Sequence, residues 1–283
     1  MKQLWTMAVI VLTALTEGFG QTAWYDPLQT NGATYIQNQG WNEDGGNYHR
    51  FPDRAKGLVR EKVWELSRQS EGLSIRFKTN AQDISIRYEV TQPLNMPHMP
   101  STGVSGVDLY RYEDMVFCFG SYSFGDTTIQ CHYSVDKGAQ LGRNTEYILY
   151  LPLYNEVACL EIGVPEGAHL AFVPAVQEYP IILYGTSIAQ GVCASRPAMA
   201  WANIVGRKLE RPLINLGFSG NGKLECEIID LICEQYPFCC HIRLHAEYGS
   251  HRERGDHQTN EACSASHQQA PECGHSGSGT CRQ

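Results

Sequence analysis

The chain has 283 residues, of which 42% are hydrophobic and 10% aromatic, and its formal net charge at pH 7 is -8. That length allows two domains of ordinary size, each with its own core. The 22 Lys and Arg residues are outnumbered by 30 Asp and Glu and are scattered. This balance argues against a protein that binds nucleic acid through a basic surface.

The first 20 residues have the layout of a secretory leader. Lys2 supplies the positive end, residues 4–15 form an apolar run, and Gly18 and Gly20 place small residues before Gln21. The apolar run is short for a membrane span, which needs about 20 residues. We therefore predict a signal peptide over residues 1–20, export to the periplasm or the extracellular space, and no stable membrane span.

Residues 21–179 have the pattern of a β domain, in which short alternating runs are separated by Gly, Pro, Asn and Asp. Leu73, Ile75 and Phe77 alternate with polar neighbours. Further strands are predicted at residues 84–90, 107–112, 115–119, 147–151, 157–164 and 170–176. At least seven short strands without a convincing long helix predict a jelly-roll-like β-sandwich.

The pattern changes at Pro180, where the apolar run at residues 181–184 is continuous, as expected of a parallel strand covered on both faces. Pro197 stands at the first turn of a predicted helix that carries Trp201 and Leu209. Residues 213–216 predict a second buried strand, and residues 223–234 a second helix. Strand, helix, strand, helix is the start of a doubly wound, flavodoxin-like sheet, which we place at residues 180–237.

The composition changes again after Pro237. The last 45 residues contain five Cys and six His but only one Ile and one Leu. We predict that residues 238–283 are disordered and supply no strands, because they cannot bury enough apolar area to offset chain entropy. Two hypotheses remain for this tail. The first hypothesis is that the tail is out-of-frame sequence. The second is that it binds a metal ion through Cys239, Cys240, His241 and His245.

A candidate nucleophile, Ser187, lies in the run Tyr184-Gly185-Thr186-Ser187-Ile188-Ala189-Gln190-Gly191, directly after the first buried strand. A hydroxyl at the carboxyl edge of a sheet can attack a carbonyl if a base takes its proton. The N–H groups of the turn can then stabilise the oxyanion. The alternative is that Thr186 or Ser187 merely caps a helix.

This run, with residues 193–197, Trp201 and Asn215-Leu216-Gly217-Phe218-Ser219-Gly220-Asn221-Gly222, resembles the first two blocks of the SGNH hydrolases, the GDSL-like esterase superfamily. Thr186 replaces the usual Asp, as expected in the exported bacterial branch. Upstream, Val104–Tyr110 and Leu151–Asn155 resemble the β-sandwich accessory domain of that branch, so the resemblance covers residues 40–236. It implies a serine esterase that needs no cofactor or metal and removes acyl groups such as acetate from carbohydrate or from small esters.

By that resemblance Ser187 is the nucleophile, and its backbone N–H and that of Gly220 are two of three oxyanion donors. The family's third donor, an Asn in a later block, and its base, the His of an Asp-x-x-His arrangement, have no match after Gly222. Asp256 and His257 are adjacent, which points their side chains in different directions. We therefore expect an incomplete and inactive copy of the enzyme.

A function of another class is also open, in which the chain is a glycan-binding module that acts through its β-sandwich. Four aromatic residues lie in a Gly- and Asn-rich stretch and could contact sugars, or they could pack the sandwich: Trp24, Tyr35, Trp41 and Tyr48. Histidines of the first domain are expected to be surface or packing residues: His49, His98, His132 and His169. Six cysteines are predicted to be buried free thiols: Cys118, Cys131, Cys159, Cys193, Cys226 and Cys233.

Overall fold

The computed structural model describes residues 21–29, 34–42, 46–135 and 143–243. The predicted signal peptide and all but the first residues of the predicted disordered tail therefore lie outside the described residues. No helix in the described part of the chain is long and apolar enough to cross a membrane.

Residues 22–172 form two antiparallel sheets that enclose one core. One sheet has the order β1-β10-β4-β8-β7, and the other has the order β11-β3-β9-β5-β6 with β2 paired to β3. Their strands are β1 Thr22–Tyr25, β2 Ile36–Gln37, β3 Ser74–Thr79, β4 Asp83–Val90, β5 Asp108–Arg111, β6 Val116–Phe117, β7 Gly120–Ser123, β8 Thr128–Ser134, β9 Thr145–Tyr150, β10 Val157–Pro165 and β11 Leu170–Phe172. Short helices α1 Glu61–Ser67 and α2 Ser101–Val104 interrupt them.

The core between the sheets follows from the alternation of apolar residues. In β4, Ile84, Ile86 and Tyr88 are buried while the residues between them are more exposed, because successive side chains of a strand point to opposite faces. Side chains from both sheets meet in one cluster that includes Ile75, Phe77, Ile86, Leu109, Ile129, Leu149 and Ile162. The predicted β-sandwich is confirmed.

The individual strands were predicted less accurately than the fold. Strands expected at residues 115–119 and 170–176 end earlier, at Phe117 and Phe172. The hairpin of β7 and β8 was missed, although Ile129, Cys131 and Tyr133 alternate with polar neighbours. Helix α1 was also missed.

The second part of the chain is a parallel sheet with the order β13-β12-β14, in which β12 is Ile181–Gly185, β13 is Leu213–Gly217 and β14 is Cys239–Arg243. The order of these strands is the 2-1-3 start of a flavodoxin-like sheet. Helix α3 Trp201–Leu209 covers the face that carries Leu183 and Leu213. Helix α4 Cys226–Glu234 covers the opposite face, which carries Ile182 and Tyr184. The predicted doubly wound arrangement is confirmed.

Strand β14 corrects the prediction that residues after Pro237 supply no strand. It pairs in parallel with β12, with Ile181 opposite Cys239 and Gly185 opposite Arg243. The prediction was wrong here because it counted apolar side chains, whereas β14 is held by main-chain hydrogen bonds to β12. The side chains of Cys239, Cys240 and His241 are exposed.

Both helices of this sheet begin later than predicted. The segment before α3 is a separate 3-10 helix, Pro197–Met199. Helix α4 begins at Cys226 rather than Lys223, because Leu224 has a positive φ of 57° and its N–H donates to the Tyr184 hydroxyl at 2.9 Å.

The free thiols are less buried than predicted. Only Cys131 is buried among the six, Cys118 and Cys233 are partly buried, and Cys159, Cys193 and Cys226 are exposed. Cys159 illustrates the reason, since it lies on an outward-facing position of β10 although its neighbours in sequence are apolar.

A segment that precedes the sandwich core in sequence packs against the parallel sheet. Trp41, Phe51 and residues of α1 join one apolar cluster with side chains of β12, β13 and α4: Trp41, Phe51, Ala55, Val59, Val63, Leu66, Ile182, Tyr184, Ile214, Leu216, Phe218, Ile228, Leu231 and Ile232. This cluster and the buried polar groups beside it form the boundary between the first domain and the parallel sheet, which we call the junction. Its polar members are described with the site.

Candidate active site

The turn that carries Ser187 and the turn that carries Gly220 leave the same edge of the parallel sheet. Strands β12 and β13 are parallel and in register, with Gly185 opposite Gly217. Each strand therefore delivers its turn, residues 186–192 and residues 218–222, at the carboxyl end of the sheet. The Phe218 N–H donates to the Gly185 carbonyl at 2.9 Å and joins the two strand ends.

Ser187 is partly exposed in a compact turn and does not begin a helix. The Gln190 N–H donates to the Thr186 carbonyl at 3.0 Å, and the Val192 N–H donates to the Ser187 carbonyl at 2.9 Å. The next helical segment starts only at Pro197. The alternative that Thr186 or Ser187 caps a helix is therefore wrong, and no group in the described residues hydrogen-bonds to the Ser187 hydroxyl.

Two glycines let the turns approach each other closely. A Cβ on Gly217 would lie 2.3 Å from the Gln190 nitrogen, and a Cβ on Gly222 would lie 2.4 Å from the Gly185 carbonyl oxygen. Both distances are far below van der Waals contact, so a side chain at either position would push the turns apart. The glycines of the sequence motif around residue 220 are thus needed for the close approach of the two turns.

The main-chain donors of the two turns fall into two groups. The N–H groups of Phe218, Ser219 and Asn221 donate to Gly185, Gln190 and Phe218. Within the described part of the chain, the N–H groups of Ser187, Ile188, Ala189 and Gly220 donate to no acceptor. Gly220 is exposed, has a φ of 67°, and would have no atom within 4 Å of an added Cβ. Unpaired N–H groups beside open space are the kind of donor that an oxyanion needs.

The sandwich supports the Ser187 turn through Tyr154. The Tyr154 hydroxyl donates to the Ser187 carbonyl at 3.2 Å, and burial raises the pKa of Tyr154, so that it remains a donor. On the far side of the turn, the Trp201 indole N–H donates to the Ile188 carbonyl at 2.6 Å. The turn is therefore held from the sandwich and from α3.

The Gly220 turn is held by two arginines, Arg50 and Arg60, of the early segment that packs against the parallel sheet. Arg50 is buried and donates to the carbonyls of Gly217 at 2.6 Å and Asn215 at 3.2 Å. Burial lowers the pKa of Arg50 to about 10, which still leaves it charged at neutral pH. Arg60 donates to the side chain of Asn221 at 2.9 Å and to its carbonyl at 3.1 Å. Neither arginine was singled out from the sequence.

Glu71 and Asn215 complete the junction. The Asn215 amide donates to Glu71 Oε1 at 3.0 Å and to the Ala189 carbonyl at 2.8 Å, and its oxygen accepts the Gly217 N–H at 2.8 Å. Burial raises the pKa of Glu71 well above its usual range, and Arg50 acts in the opposite direction. Asn215 lies in the recognised sequence block, but its role at the junction could not be read from the sequence.

The aromatic residues proposed for glycan contact are mainly packing residues. Trp41 and Tyr48 are 7% and 1% exposed. Tyr35 packs against Phe172 with ring centroids 5.5 Å apart. Trp24 is half-buried beneath the Arg87 guanidinium at 4.1 Å.

The histidines that the structure describes have their contacts away from Ser187. The His49 ring lies 3.2 Å from Glu156 in an ion-pair cluster, and His132 lies beside Ser85 and Asp83. No histidine within the described residues hydrogen-bonds to Ser187. Among those residues there is also no group of three or more His, Cys, Asp or Glu side chains that could hold a metal ion. His245, the fourth member of the proposed metal set, lies outside them.

Two family models match consecutive parts of the chain. Residues 22–170 match GxDLY, the N-terminus of SGNH hydrolase-type esterases, whose motif corresponds here to Gly106–Tyr110. Residues 178–239 match the GDSL-like lipase/acylhydrolase family. No protein of curated function matches the chain.

Among solved structures, a GDSL-like lipase from Bacteroides ovatus is 28% identical and superposes with a TM-score of 0.69, over 79% of this chain and 64% of that one. A salicylyl-acyltransferase from a tetracycline biosynthetic pathway is 16% identical, with a TM-score of 0.59 over 79% of this chain and 62% of that one, and shares the fold. The chain thus spans less than two thirds of the length of either structure. Because the GxDLY match covers more than half of the chain, this protein belongs to the SGNH hydrolase family, in the group with a GxDLY N-terminal domain.

Proposed function

We propose that this chain carries the nucleophile half of a serine esterase of the SGNH type that acts on acylated carbohydrate or another small ester. The observation that supports the proposal most directly is the placement of two unpaired N–H groups, those of Ser187 and Gly220, at the sheet edge where the Ser187 hydroxyl is partly exposed. The leader pattern of residues 1–20 supports export, so the proposed substrate lies outside the cytoplasm.

The proposed reaction is acyl transfer through a covalent intermediate. A base, which we assign to no residue of this chain, takes the proton of the Ser187 hydroxyl as its Oγ attacks the ester carbonyl. The negative charge moves to the carbonyl oxygen, and the N–H groups of Ser187 and Gly220 bind that oxygen. The alcohol leaves as the C–O bond breaks and takes a proton from the base. Water then attacks the acyl group on Ser187 and releases the acid. These steps require no metal or organic cofactor.

We expect the chain of 283 residues to hydrolyse esters only slowly, because its sequence has no Asp-x-x-His after Gly222. Without a base the serine keeps its proton, and a triad that lacks a member retains only a small residual rate. We expect Ser187→Ala to leave the hydrolysis of an aryl acetate unchanged. A clear loss of rate in Ser187→Ala would show that some histidine of the chain completes the site.

The nucleophile itself is tested by chemical rescue with imidazole as an external base. We expect imidazole to promote acetylation of Ser187 by the aryl acetate, detected by mass spectrometry of the peptide that contains residue 187. Ser195→Ala is a matched control, since Ser195 is an exposed serine of the same segment. Acetylation that persists in Ser187→Ala but stops in Ser195→Ala would contradict the assignment.

A further inference from the structure

A row of three glutamine side chains connects the sandwich to the Gly220 turn. Gln92 stands at the outer end and accepts a hydrogen bond from Gln69 Nε2 at 3.0 Å. Gln69 Oε1 accepts from Gln190 Nε2 at 2.5 Å. Gln190 Oε1 accepts the Ser219 N–H at 2.9 Å. The last acceptor in this row thus holds the main chain of the residue that precedes Gly220.

Each amide in the row has only one orientation that satisfies its neighbours. Gln190 is 0% exposed and Gln69 is 3% exposed, so neither can exchange a partner for bulk water. The Gln190 NH₂ group is used by Gln69 Oε1 and by the Leu153 carbonyl at 3.3 Å. Its oxygen must therefore point to Ser219, because a reversed amide would place NH₂ against the Ser219 N–H and an oxygen against two acceptors.

The outer end of the row is fixed by Asn155. The Asn155 side chain accepts the Gln92 N–H at 2.9 Å and donates to the Gln92 carbonyl at 2.9 Å. Leu153, Tyr154 and Asn155 are consecutive, and Tyr154 also contacts the Ser187 carbonyl. One short segment of the sandwich thus contacts the Ser187 turn directly and reaches the Gly220 turn through Gln190.

We propose that Gln69 and Gln190 are positioning residues, which fix the Ser219 main chain and thereby aim the adjacent Gly220 N–H at the oxyanion. The accessory domain then contributes to the catalytic geometry and is more than a support for the fold. The effect on catalysis rests on the proposed function. The effect on the conformation of the Ser219 and Gly220 main chain does not depend on it. The two parts can be measured separately.

The first test is amide hydrogen exchange of Ser219 and Gly220, followed by NMR in the full chain. We expect Gln190→Leu and Gln69→Leu to raise the Ser219 exchange rate about tenfold or more beyond the change that global stability explains. Gln92→Leu, at the partly exposed outer end, is the variant least disturbing to folding and should give a smaller rise.

Gln37→Leu is the matched control, since Gln37 is a buried sandwich glutamine that bonds to the Val173 carbonyl and the Val176 N–H, away from the site. It should lower stability without changing Ser219 exchange. The inference is overturned if Ser219 exchange stays unchanged in Gln190→Leu and Gln92→Leu, or if Gln37→Leu raises it equally.

The second test concerns turnover of an aryl acetate with imidazole as external base. We expect Gln69→Leu and Gln92→Leu to lower kcat about tenfold while KM stays unchanged, because an oxyanion donor acts mainly in the transition state. If kcat and KM changed by equal factors, the proposed contribution of the glutamines to the transition state would be overturned. Absence of Ser187-dependent turnover in the unsubstituted chain would instead contradict the proposed function and leave the exchange result to decide the positioning.

Discussion

The core of the β-sandwich and the junction between the sandwich and the parallel sheet are both buried, but their side chains differ in kind. The sandwich core contains aliphatic and aromatic groups such as Ile75, Phe77 and Ile86. The junction also has an apolar cluster, which includes Trp41 and Phe51, but beside it the junction buries Arg50, Glu71 and the amides that hold the two turns. Apolar contacts are non-directional and tolerate exchange of similar volumes. Buried hydrogen bonds have fixed directions, so the junction can specify one arrangement of the turns.

The sandwich core constrains the fold mainly through the apolar area that it buries, whereas the junction constrains it through the direction of each hydrogen bond. A sandwich core that is held mainly by apolar contacts can keep its strands together over a range of packings. The junction has no such range, because each donor that moves leaves a buried acceptor unpaired, at a cost of about 1–3 kcal/mol. Substitutions in each region distinguish these two kinds of constraint.

The largest effect is expected for Arg50→Met. Arg50 donates to four main-chain carbonyls, those of Leu66, Gln69, Asn215 and Gly217. Its loss removes these four hydrogen bonds from a buried site, where the Leu66 carbonyl keeps the Gln69 N–H as a partner, and we expect the free energy of unfolding to fall by about 3–5 kcal/mol. Urea unfolding measures the change.

Arg87→Met is the matched control for this substitution. Arg87 pairs with Glu161 on the outer face of the sandwich, where both side chains are substantially exposed. Exposed pairs contribute about 0–1 kcal/mol. A similar loss for both arginines would contradict the view that the junction is the more demanding region.

The next effect concerns pH and Asp108 of the GxDLY motif. Asp108 is buried and accepts the Ala198 N–H at 2.9 Å. Burial raises the pKa of Asp108 to about 6, although Ala198 and two arginines act in the opposite direction. Because the folded pKa lies above the unfolded value of about 3.9, Asp108 stabilises the fold below about pH 4, and this contribution is lost as the pH rises through 6.

We therefore expect the free energy of unfolding to fall between about pH 4 and pH 6, by up to about 3 kcal/mol from this group. In Asp108→Asn the fall should be smaller, because the amide does not titrate. Urea unfolding at several pH values in this window measures both chains. Identical pH profiles for the two chains would show that titration of Asp108 does not change the free energy of unfolding in this window, which would contradict the expectation.

A smaller loss of stability is expected for Gly217→Ala, with a specific effect on the site. The added methyl would meet the Gln190 nitrogen at 2.3 Å, and overpacking of this kind costs about 1–3 kcal/mol. Because the methyl separates the two turns, we expect Ser219 exchange to rise more than global unfolding explains. Gly125→Ala is the control, since an added Cβ there has no atom within 4 Å, and an equal effect would contradict the steric explanation.

The smallest effect is expected for Ile86→Val in the sandwich core. Ile86 is 0% exposed, and loss of one buried methyl costs about 1 kcal/mol. We expect no change in Ser219 exchange beyond the change in global stability. If Ile86→Val altered the turns as much as Gly217→Ala, the proposed separation between the two regions would be broken.

The same difference explains what could be predicted from the sequence. The sandwich and the parallel sheet follow from local patterns, alternation in β4 and a continuous apolar run in β12, because burial is periodic in a strand. Ser187 and Gly220 were selected through a resemblance that extends over both regions. Their placement at one sheet edge agrees with that selection, while their roles remain proposals.

The junction could not be predicted, because its contacts join residues that are distant in sequence and chemically ordinary. Nothing around Arg50, Gln69 or Gln190 distinguishes a buried partner from a solvated side chain. Strand β14 was missed for a related reason. Its stability depends on the free edge of β12, which a count of apolar residues after Pro237 does not reveal.

The contacts of Arg50 also bear on how the chain folds as it is synthesised. Two of its acceptors, the carbonyls of Asn215 and Gly217, lie 165 and 167 residues further along the chain. At about 5–20 residues per second, the ribosome needs on the order of ten to thirty seconds to supply them. Throughout that interval Arg50 must remain hydrated or hold temporary partners. Burial of Arg50 before then would leave the guanidinium with only its two nearby acceptors, the carbonyls of Leu66 and Gln69.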